Sequence, residues 1–167
     1  MISPAPTPRS AASDQAQTID PQTLAEMTAR AMTEHDGCTQ ALGMRLEAVG
    51  PGQASLSMTV RAEFLNGHRT CHGGMIFALA DSAFAFACNT DNHVTVAAGC
   101  SIEYLRPAFE GQVLRADARM QARAGRQGVC DVAVSNDKGE IVAMFRGKST
   151  RVQGPVAVVP GTEASAP

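Results

Sequence analysis

The sequence is poor in aromatic residues, which limits how a core can be built. It has no Trp, one Tyr and six Phe among 167 residues, although 44% of its residues are hydrophobic. Ala, Val, Leu, Ile and Met must therefore supply most of the core. A chain of this length fits one domain, since domains commonly run about 100–150 residues.

The chain also lacks an excess of positive charge. Its 14 Lys and Arg residues against 16 Asp and Glu give a net charge of −2, and these charges are scattered along the sequence. Nucleic-acid-binding domains usually carry a basic patch or stripe. We therefore exclude nucleic acid as a partner.

Paired cysteines are missing as well. The five cysteines are odd in number, widely spaced and contain no Cys-x-x-Cys pair, so neither a disulfide framework nor a metal site is predicted. This pattern is typical of a protein that keeps its thiols reduced in the cytosol. We expect a cytoplasmic location and no bound metal.

No hydrophobic run is long enough for a membrane span. The longest, Met75 to Cys88, covers about 14 residues and contains Asp81, whereas a span needs about 20. The first 13 residues have one basic residue, Arg9, and no apolar segment, which is not the pattern of a signal peptide. The sequence thus predicts a soluble protein with no membrane partner.

Both ends of the chain differ in composition from its middle. Residues 1–18 and 154–167 are rich in Ser, Ala, Pro and Thr, a composition typical of flexible tails. The predicted organisation is an N-terminal tail at 1–19, one domain at 20–152 and a C-terminal tail at 153–167.

The first half of the domain contains one helix and two strands. Asp20 followed by Pro21 is typical of a helix start and predicts a helix over 21–35. Residues 53–60 alternate between polar and apolar, which predicts a half-buried strand. A Gly-Pro-Gly turn joins this strand to a preceding one at about 44–49.

A buried helix and four strands follow. From Gly73 to Asn89 apolar residues occupy nearly all faces, which predicts a buried helix. Short turns then predict strands in meander order, each antiparallel to the next, at about 94–105, 112–123, 128–136 and 140–151. This order indicates an α+β domain whose antiparallel sheet wraps around a long helix.

Small and polar residues converge on the start of that helix. Residues 65–74 run directly into it and end in His72, Gly73 and Gly74. The free N–H groups and the dipole of a helix start attract negative charge, so an oxyanion fits there. The alternative is that the two glycines only form a tight turn.

Asp81 is the only formally charged residue between Gly73 and Asn89. Burying a lone carboxylate is costly. A structural role would be to accept hydrogen bonds from Ser or backbone groups in the core. A functional role would be that of a nucleophile or general base in a dry cleft, where its pKa can be tuned.

The spacing of Gly73 and Asp81 constrains a site that uses both. Eight residues of helix separate them by about 12 Å, whereas groups acting on one substrate atom must meet within about 3 Å. If both are catalytic, they come from different subunits. A two-fold dimer contains two such sites.

Other candidates are weaker. His68 and His72 are four residues apart, but the loop between them is not helical in pattern, which disfavours a metal pair. We expect His72 to orient the loop or to contact substrate. Cys71 lacks a third group that would orient a thiol–histidine pair, and Ser82 is not part of a G-x-S-x-G motif.

Six segments along the chain resemble one family. They are Asn66-Gly67, His72-Gly73-Gly74, Leu79-Ala80-Asp81, Phe84-Ala85-Phe86-Ala87-Cys88-Asn89, Tyr104-Leu105-Arg106-Pro107 and Phe145-Arg146-Gly147-Lys148-Ser149. Together they resemble the PaaI-type thioesterases of phenylacetic acid degradation, over about residues 24–152. The resemblance implies the hotdog fold, in which an antiparallel sheet wraps a long helix.

The resemblance also implies a reaction and its residues. The expected reaction is hydrolysis of aryl- or arylacetyl-CoA thioesters, with ring-hydroxylated phenylacetyl-CoA as the substrate class. The Gly73 N–H polarises the thioester carbonyl, Asp81 of the facing subunit attacks it or activates water, and Asn66 helps to place substrate or water. Apart from the resemblance, Arg126 and Lys148 belong to the basic residues at turns and strand ends and are our candidate ligands of the CoA phosphates. The family implies a dimer of dimers and no resident cofactor.

Two alternatives remain open at this point. One is a hotdog hydratase or dehydratase acting on enoyl- or hydroxyacyl-CoA, although Asp81 has no His at the short helical spacing which familiar members use. The other is a non-catalytic module that binds acyl-CoA. The sequence also departs from related ones at His35, where they often carry Asn, and we assign His35 no role.

Overall fold

The structure is a computed structural model that describes residues 19–158. Its helices and strands, in chain order, are α1 (Pro21–His35), α2 (Gly37–Ala41), β1 (Arg45–Gly50), β2 (Gln53–Thr59), α3 (Gly73–Asn89), β3 (His93–Tyr104), β4 (Val113–Ala124), β5 (Gln127–Ser135) and β6 (Ile141–Pro155). The bounds of α1 and α3 are those predicted from the sequence. The short helix α2 and one 3₁₀ turn, Ala62–Phe64, were not predicted.

Each of the two N-terminal helices is preceded by a capping aspartate. A carboxylate oxygen of Asp20 accepts a hydrogen bond from the Thr23 N–H at 3.0 Å, and Pro21 takes the first helical position. Asp36 caps α2 in the same way, by accepting from the Thr39 N–H at 3.0 Å. Each cap satisfies a backbone donor that the helix itself leaves free.

All six strands form one antiparallel sheet in the order β1-β2-β4-β5-β6-β3. Helix α3 contacts every one of them, and buried inward-facing residues of β2, β4 and β5 alternate with less buried outward-facing ones. The predicted architecture, a sheet around a central helix, is therefore observed. The helix predicted to be buried from its apolar run, α3, is the one helix at the centre of this core.

The predicted meander order is wrong for one strand. Strand β3 pairs with β6 rather than with β4, and β4 pairs with β2 instead. The connection over residues 105–112 is longer than the two to five residues of a usual hairpin, and it crosses to the other half of the sheet. Ala108 is buried there and accepts a hydrogen bond from the Cys71 N–H at 2.8 Å.

A close approach sets the distance between α3 and β6. A Cβ added at Gly147 would lie 2.6 Å from the Phe84 ring, closer than real carbon atoms come. Phe84 is buried and packs against Phe145 with ring centroids 5.7 Å apart. Gly147 thus lets the helix pack directly on the sheet.

The end of α3 is tied to β3 through Asn89. Its amide donates to the carbonyl oxygens of Ala85 and Thr95, both at 2.9 Å, and its Oδ1 accepts from the Thr95 N–H at 2.8 Å. These bonds satisfy a buried amide and hold β3 beside the helix.

The predicted tails lie mostly outside the described residues. Residues 1–18 and 159–167 are outside them. Strand β6 continues to Pro155, three residues beyond the predicted domain end at 152. Within residues 19–158, no helix has both the length and the apolar character of a membrane span.

Candidate active site

The start of α3 presents a free backbone donor. The His72 Nδ1 accepts a hydrogen bond from the Gly74 N–H at 2.9 Å, and the His72 carbonyl accepts from the Met75 N–H at 2.9 Å. Among the described residues, the Gly73 N–H has no recorded acceptor. The first turn of α3 therefore leaves this donor for a ligand oxygen.

Tyr104 covers Gly73 from the end of β3. Its hydroxyl donates to the Gly73 carbonyl oxygen at 2.9 Å, and a Cβ added at Gly73 would lie 3.1 Å from the tyrosine ring. Burial raises the pKa of the Tyr104 phenol, so it stays a donor at neutral pH. It holds the first peptide of the helix in place.

Asn66 organises the loop that leads to this helix. Its Oδ1 accepts from the His68 N–H at 2.9 Å and from the Thr70 N–H at 3.3 Å, and its amide donates to the Thr70 hydroxyl at 3.0 Å. Arg69 has a φ of 61° inside this loop, a strained value that the Asn66 bonds stabilise. One amide N–H of Asn66 is left for substrate or water.

Asp81 lies half-buried in the middle of α3. Burial raises the pKa of its carboxyl above the ordinary value, and a hydrogen bond from the Cys100 thiol lowers it in part. The Cys100 Sγ, 3.9 Å from Oδ1, is its one recorded partner among residues 19–158. No Ser or backbone donor holds Asp81 there, so the purely structural interpretation has no support in these contacts.

Gly73 and Asp81 open into different cavities of the same subunit. The cavity at Gly73, about 380 Å³, is lined by Thr70, Cys71, Ile76 and residues 104–107. The cavity at Asp81, about 230 Å³, is bounded by the rest of its helix and by β3, and its lining residues are Phe84, Ala85, Cys88, Thr95, Val96 and Ala97. One subunit by itself does not bring the two groups to one substrate atom.

The other predicted candidates differ in their surroundings. Cys71 is buried, burial raises the pKa of its thiol, and Sγ donates to the His72 carbonyl at 3.7 Å. A thiol of raised pKa is a poor nucleophile. His68 is exposed, and Ser82 is buried inside α3. Within residues 19–158, no three His, Cys, Asp or Glu side chains gather as a metal site would require.

The two predicted CoA ligands lie on the exterior. Lys148 is exposed on β6 between Gly99 and Val129. Arg126 is in the turn between β4 and β5, and its Nε donates to the Arg151 carbonyl at 3.0 Å. Both cations are thus at the surface, Lys148 on β6 and Arg126 in the turn that precedes the neighbouring strand β5.

Sequence reasoning missed two residues that contact the candidate groups. The predicted strand over 94–105 contained Cys100 and Tyr104, and its period of two puts both on one face. Nothing in the sequence indicated that this face lies against Asp81 and Gly73, because the pairing of β3 with β6 was not predicted.

Comparison with known proteins identifies the family. The sequence profile of the thioesterase superfamily matches residues 68–143. The acyl-coenzyme A thioesterase PaaI of Escherichia coli is 45% identical over 128 residues, which cover 77% of this chain and 91% of that protein. The chain belongs to the PaaI-type thioesterases of this superfamily. It is an enzyme of the thioester hydrolase class, as the sequence predicted.

Solved structures of PaaI-type thioesterases have the same fold. The PaaI protein of the E. coli phenylacetic acid degradation operon superposes with a TM-score of 0.80 at 43% identity, covering 81% of this chain and 99% of that one. A mutant of the phenylacetic acid degradation protein PaaI from Thermus thermophilus gives a TM-score of 0.68 at 38% identity, covering 70% and 100%. The predicted hotdog fold is confirmed.

A third solved structure contains a ligand. It is a Streptococcus mutans protein bound to acetyl-CoA, with a TM-score of 0.63 at 25% identity, covering 65% of this chain and 88% of that one.

Proposed function

We propose that this PaaI-type thioesterase hydrolyses aryl- or arylacetyl-CoA thioesters in phenylacetate catabolism, with ring-hydroxylated phenylacetyl-CoA as its substrate class. The observation that carries the proposal is Asp81, a half-buried carboxylate of raised pKa at an apolar cavity. Apolar walls suit an aromatic acyl group, and a desolvated carboxylate suits a base or nucleophile. The names of the E. coli and Thermus relatives support the pathway.

In the proposed mechanism the Gly73 N–H and the Asp81 carboxylate act from opposite sides of the thioester carbonyl. The carbonyl oxygen accepts the Gly73 N–H, which stabilises the negative charge that forms on that oxygen. Asp81 takes a proton from water as the water oxygen bonds to the carbonyl carbon. The C–S bond then breaks, the proton passes to the departing thiolate, and the products are the free acid and CoA.

An alternative role for Asp81 has the same geometry. Its carboxylate bonds to the carbonyl carbon, the C–S bond breaks so that CoA leaves as a thiolate that takes a proton from solvent, and water hydrolyses the resulting mixed anhydride. A single turnover in ¹⁸O-labelled water detects the anhydride route when water attacks the Asp81 carbonyl. In that case one ¹⁸O enters Asp81 and the product acid of the first turnover carries none. Direct attack puts one ¹⁸O into the product acid and none into the protein.

The proposed site requires a second copy of this chain. On α3 a stripe of helically spaced residues is only half-buried or exposed, and its members are Gly74, Phe77, Ala78, Asp81 and Ala85. Within residues 19–158, strand β3 is at the edge of the sheet with one side unpaired. A two-fold partner that covers both brings its Gly73 toward Asp81. We propose this dimer, and two such dimers per molecule, as the active assembly.

Arg126 and Lys148 are the proposed ligands of the CoA phosphates. Both are exposed, and guanidinium and ammonium groups are the usual partners of phosphate oxygens. The S. mutans structure with acetyl-CoA supports a CoA ligand for this fold.

We further propose a cytoplasmic location, supported by five cysteines that are all free in the structure.

The decisive experiment is Asp81→Asn assayed on a panel of CoA thioesters. Phenylacetyl-, ring-hydroxylated phenylacetyl-, benzoyl- and hexanoyl-CoA are compared, with crotonyl-CoA hydration measured in parallel. We expect the hydroxylated arylacetyl ester to have the highest kcat/KM and Asp81→Asn to lose nearly all turnover. Asp137→Asn, the same change in an exposed turn, is the matched control.

Wild-type turnover in Asp81→Asn would remove Asp81 from the mechanism. A preference for hexanoyl-CoA would contradict the substrate class but leave the mechanism standing. Hydration of crotonyl-CoA that exceeds hydrolysis would favour the hydratase interpretation instead.

A further inference from the structure

We propose that Cys100 is a positioning residue for Asp81, whose thiol holds one carboxylate oxygen so that the other faces the substrate. This inference rests on the proposed function, since it assigns a role at the same site. Cys100 is outside the segments that predicted the site.

The sheet register directs Cys100 toward the helix. In β3 its Cα is opposite that of Gly147 in β6, and residues directly opposite one another in an antiparallel pair share a face. Gly147 contacts the Phe84 ring, which is three residues from Asp81 on α3. The thiol and the carboxylate therefore meet between β3 and α3, with Sγ 3.9 Å from Oδ1.

The thiol is a donor over the pH range in which the enzyme would work. Burial and the nearby Asp81 charge both raise the pKa of the Cys100 thiol, so the proton stays on sulfur at neutral pH. Because a carboxylate accepts hydrogen bonds at both oxygens, one bond to Oδ1 leaves Oδ2 available. A fixed Oδ2 reduces the reorganisation needed at the moment of reaction.

Among the described residues that line the cavity at Asp81, no charged side chain could replace the hydrogen bond from Cys100. The cavity at Asp81 is lined by apolar residues together with Thr95 and the Cys88 thiol of its own helix. The charges of Arg123 and Asp91 act on the pKa of the Cys88 thiol, at the far end of α3. Only burial and the Cys100 bond act appreciably on the Asp81 carboxyl, raising and lowering its pKa respectively.

The direction of the expected effect follows from these two causes. Hydrolysis needs ionised Asp81, so kcat/KM falls as the pH drops through its pKa. Removing the thiol in Cys100→Ala removes the one influence that lowers this pKa, and the acid limb moves to higher pH. Cys100→Ser keeps a donor, and a hydroxyl is a stronger donor than a thiol, so its limb stays in place or moves to lower pH.

The test is the pH dependence of kcat/KM for wild type, Cys100→Ala and Cys100→Ser on phenylacetyl-CoA. On the acid limb we expect Cys100→Ala to be on the order of 2–10-fold slower than wild type, the worth of one hydrogen bond. We expect Cys100→Ser to match or exceed wild type there. Cys38→Ala, at an exposed cysteine in α2, is the control and should not move the limb.

A second measurement does not depend on turnover. The Asp81 carboxyl carbon can be titrated by ¹³C NMR in the wild type and both variants, and its midpoint should move in the same directions. Coincident limbs and coincident NMR midpoints in all three proteins would overturn the inference. The proposed function fails separately, through full activity of Asp81→Asn, so the two failures are distinguishable.

Discussion

The hydroxyl of Tyr104 donates a hydrogen bond to the carbonyl oxygen of Gly73 at 2.9 Å. It joins the last residue of β3 to the first residue of α3, so the sheet edge holds the helix start. The Gly73 N–H belongs to the preceding peptide, and its direction depends on how this residue is held.

Tyr104→Phe removes only the hydroxyl and keeps the ring that packs on Gly73. We expect kcat to fall by about 2–10-fold, the worth of one hydrogen bond, with KM for phenylacetyl-CoA nearly unchanged. Steady-state kinetics and thermal unfolding of the same preparation measure this. A lower melting temperature with unchanged kcat would show that the bond only stabilises the fold.

Subunit complementation tests the site between chains. Gly73→Pro removes the backbone N–H at the first helical position, where proline is tolerated, and His72 has the extended backbone that precedes proline readily. We expect Gly73→Pro to lose about 10²–10³ in kcat. Gly73→Ala, which keeps the N–H but adds an atom beside Tyr104, is its control.

Gly73→Pro and Asp81→Asn chains are then unfolded, mixed in equal amounts and refolded together. Each mixed dimer holds one intact site if Gly73 and Asp81 of different chains cooperate, so about a quarter of wild-type activity should return. Sites within one chain would all remain defective. An inactive mixture that contains mixed dimers by mass spectrometry would therefore contradict the cross-chain site.

Removing the charges at Arg126 and Lys148 should affect binding rather than chemistry. In Arg126→Gln and Lys148→Gln we expect KM for phenylacetyl-CoA to rise several-fold with kcat retained, because phosphate contacts far from the carbonyl change little in the transition state. Raising the salt concentration should reduce the difference from wild type. Lys138→Gln, in an exposed turn, serves as the control, and an equal KM effect there would argue against a specific phosphate site.

His72 caps α3 through its Nδ1, and this role can be separated from substrate contact. Asn is a good capping residue, so His72→Asn should keep both stability and turnover, whereas His72→Ala should lower the free energy of unfolding by about 0.5–2 kcal/mol. Chemical denaturation and kcat are measured on both. A stable but inactive His72→Asn would show instead that the imidazole contacts substrate.

Gly147→Ala should destabilise the fold because the added methyl group overlaps the buried Phe84 ring. Overpacking of this kind typically costs about 1–3 kcal/mol. Adding Phe84→Leu should recover part of the loss, which a double-mutant cycle measures. Gly37→Ala, at a glycine with no atom within 4 Å of an added Cβ, should be nearly neutral.

The helices and the pattern of each strand follow from local rules. Asp20 with Pro21 sets the start of α1, and a mostly apolar run from Gly73 to Asn89 sets both ends of α3. Asp81 was identifiable from the sequence because it interrupts that run. The family resemblance then supplied the fold and the reaction class, which the comparisons with known proteins confirm.

Strand order was decided only in three dimensions. A period of two in β3 tells which of its residues share a face but not which element they face. The long connection over residues 105–112 takes the chain across the sheet, and β3 pairs with β6 as a result.

The same limit applies to the site. Cys100 meets Asp81 and Tyr104 meets Gly73 only because that pairing puts β3 beside the helix. The sequence alone determined which residues carry charge and which faces are apolar, since these depend on near neighbours. The tertiary structure decided which groups touch, since contacts between distant segments depend on how the whole sheet closes around α3.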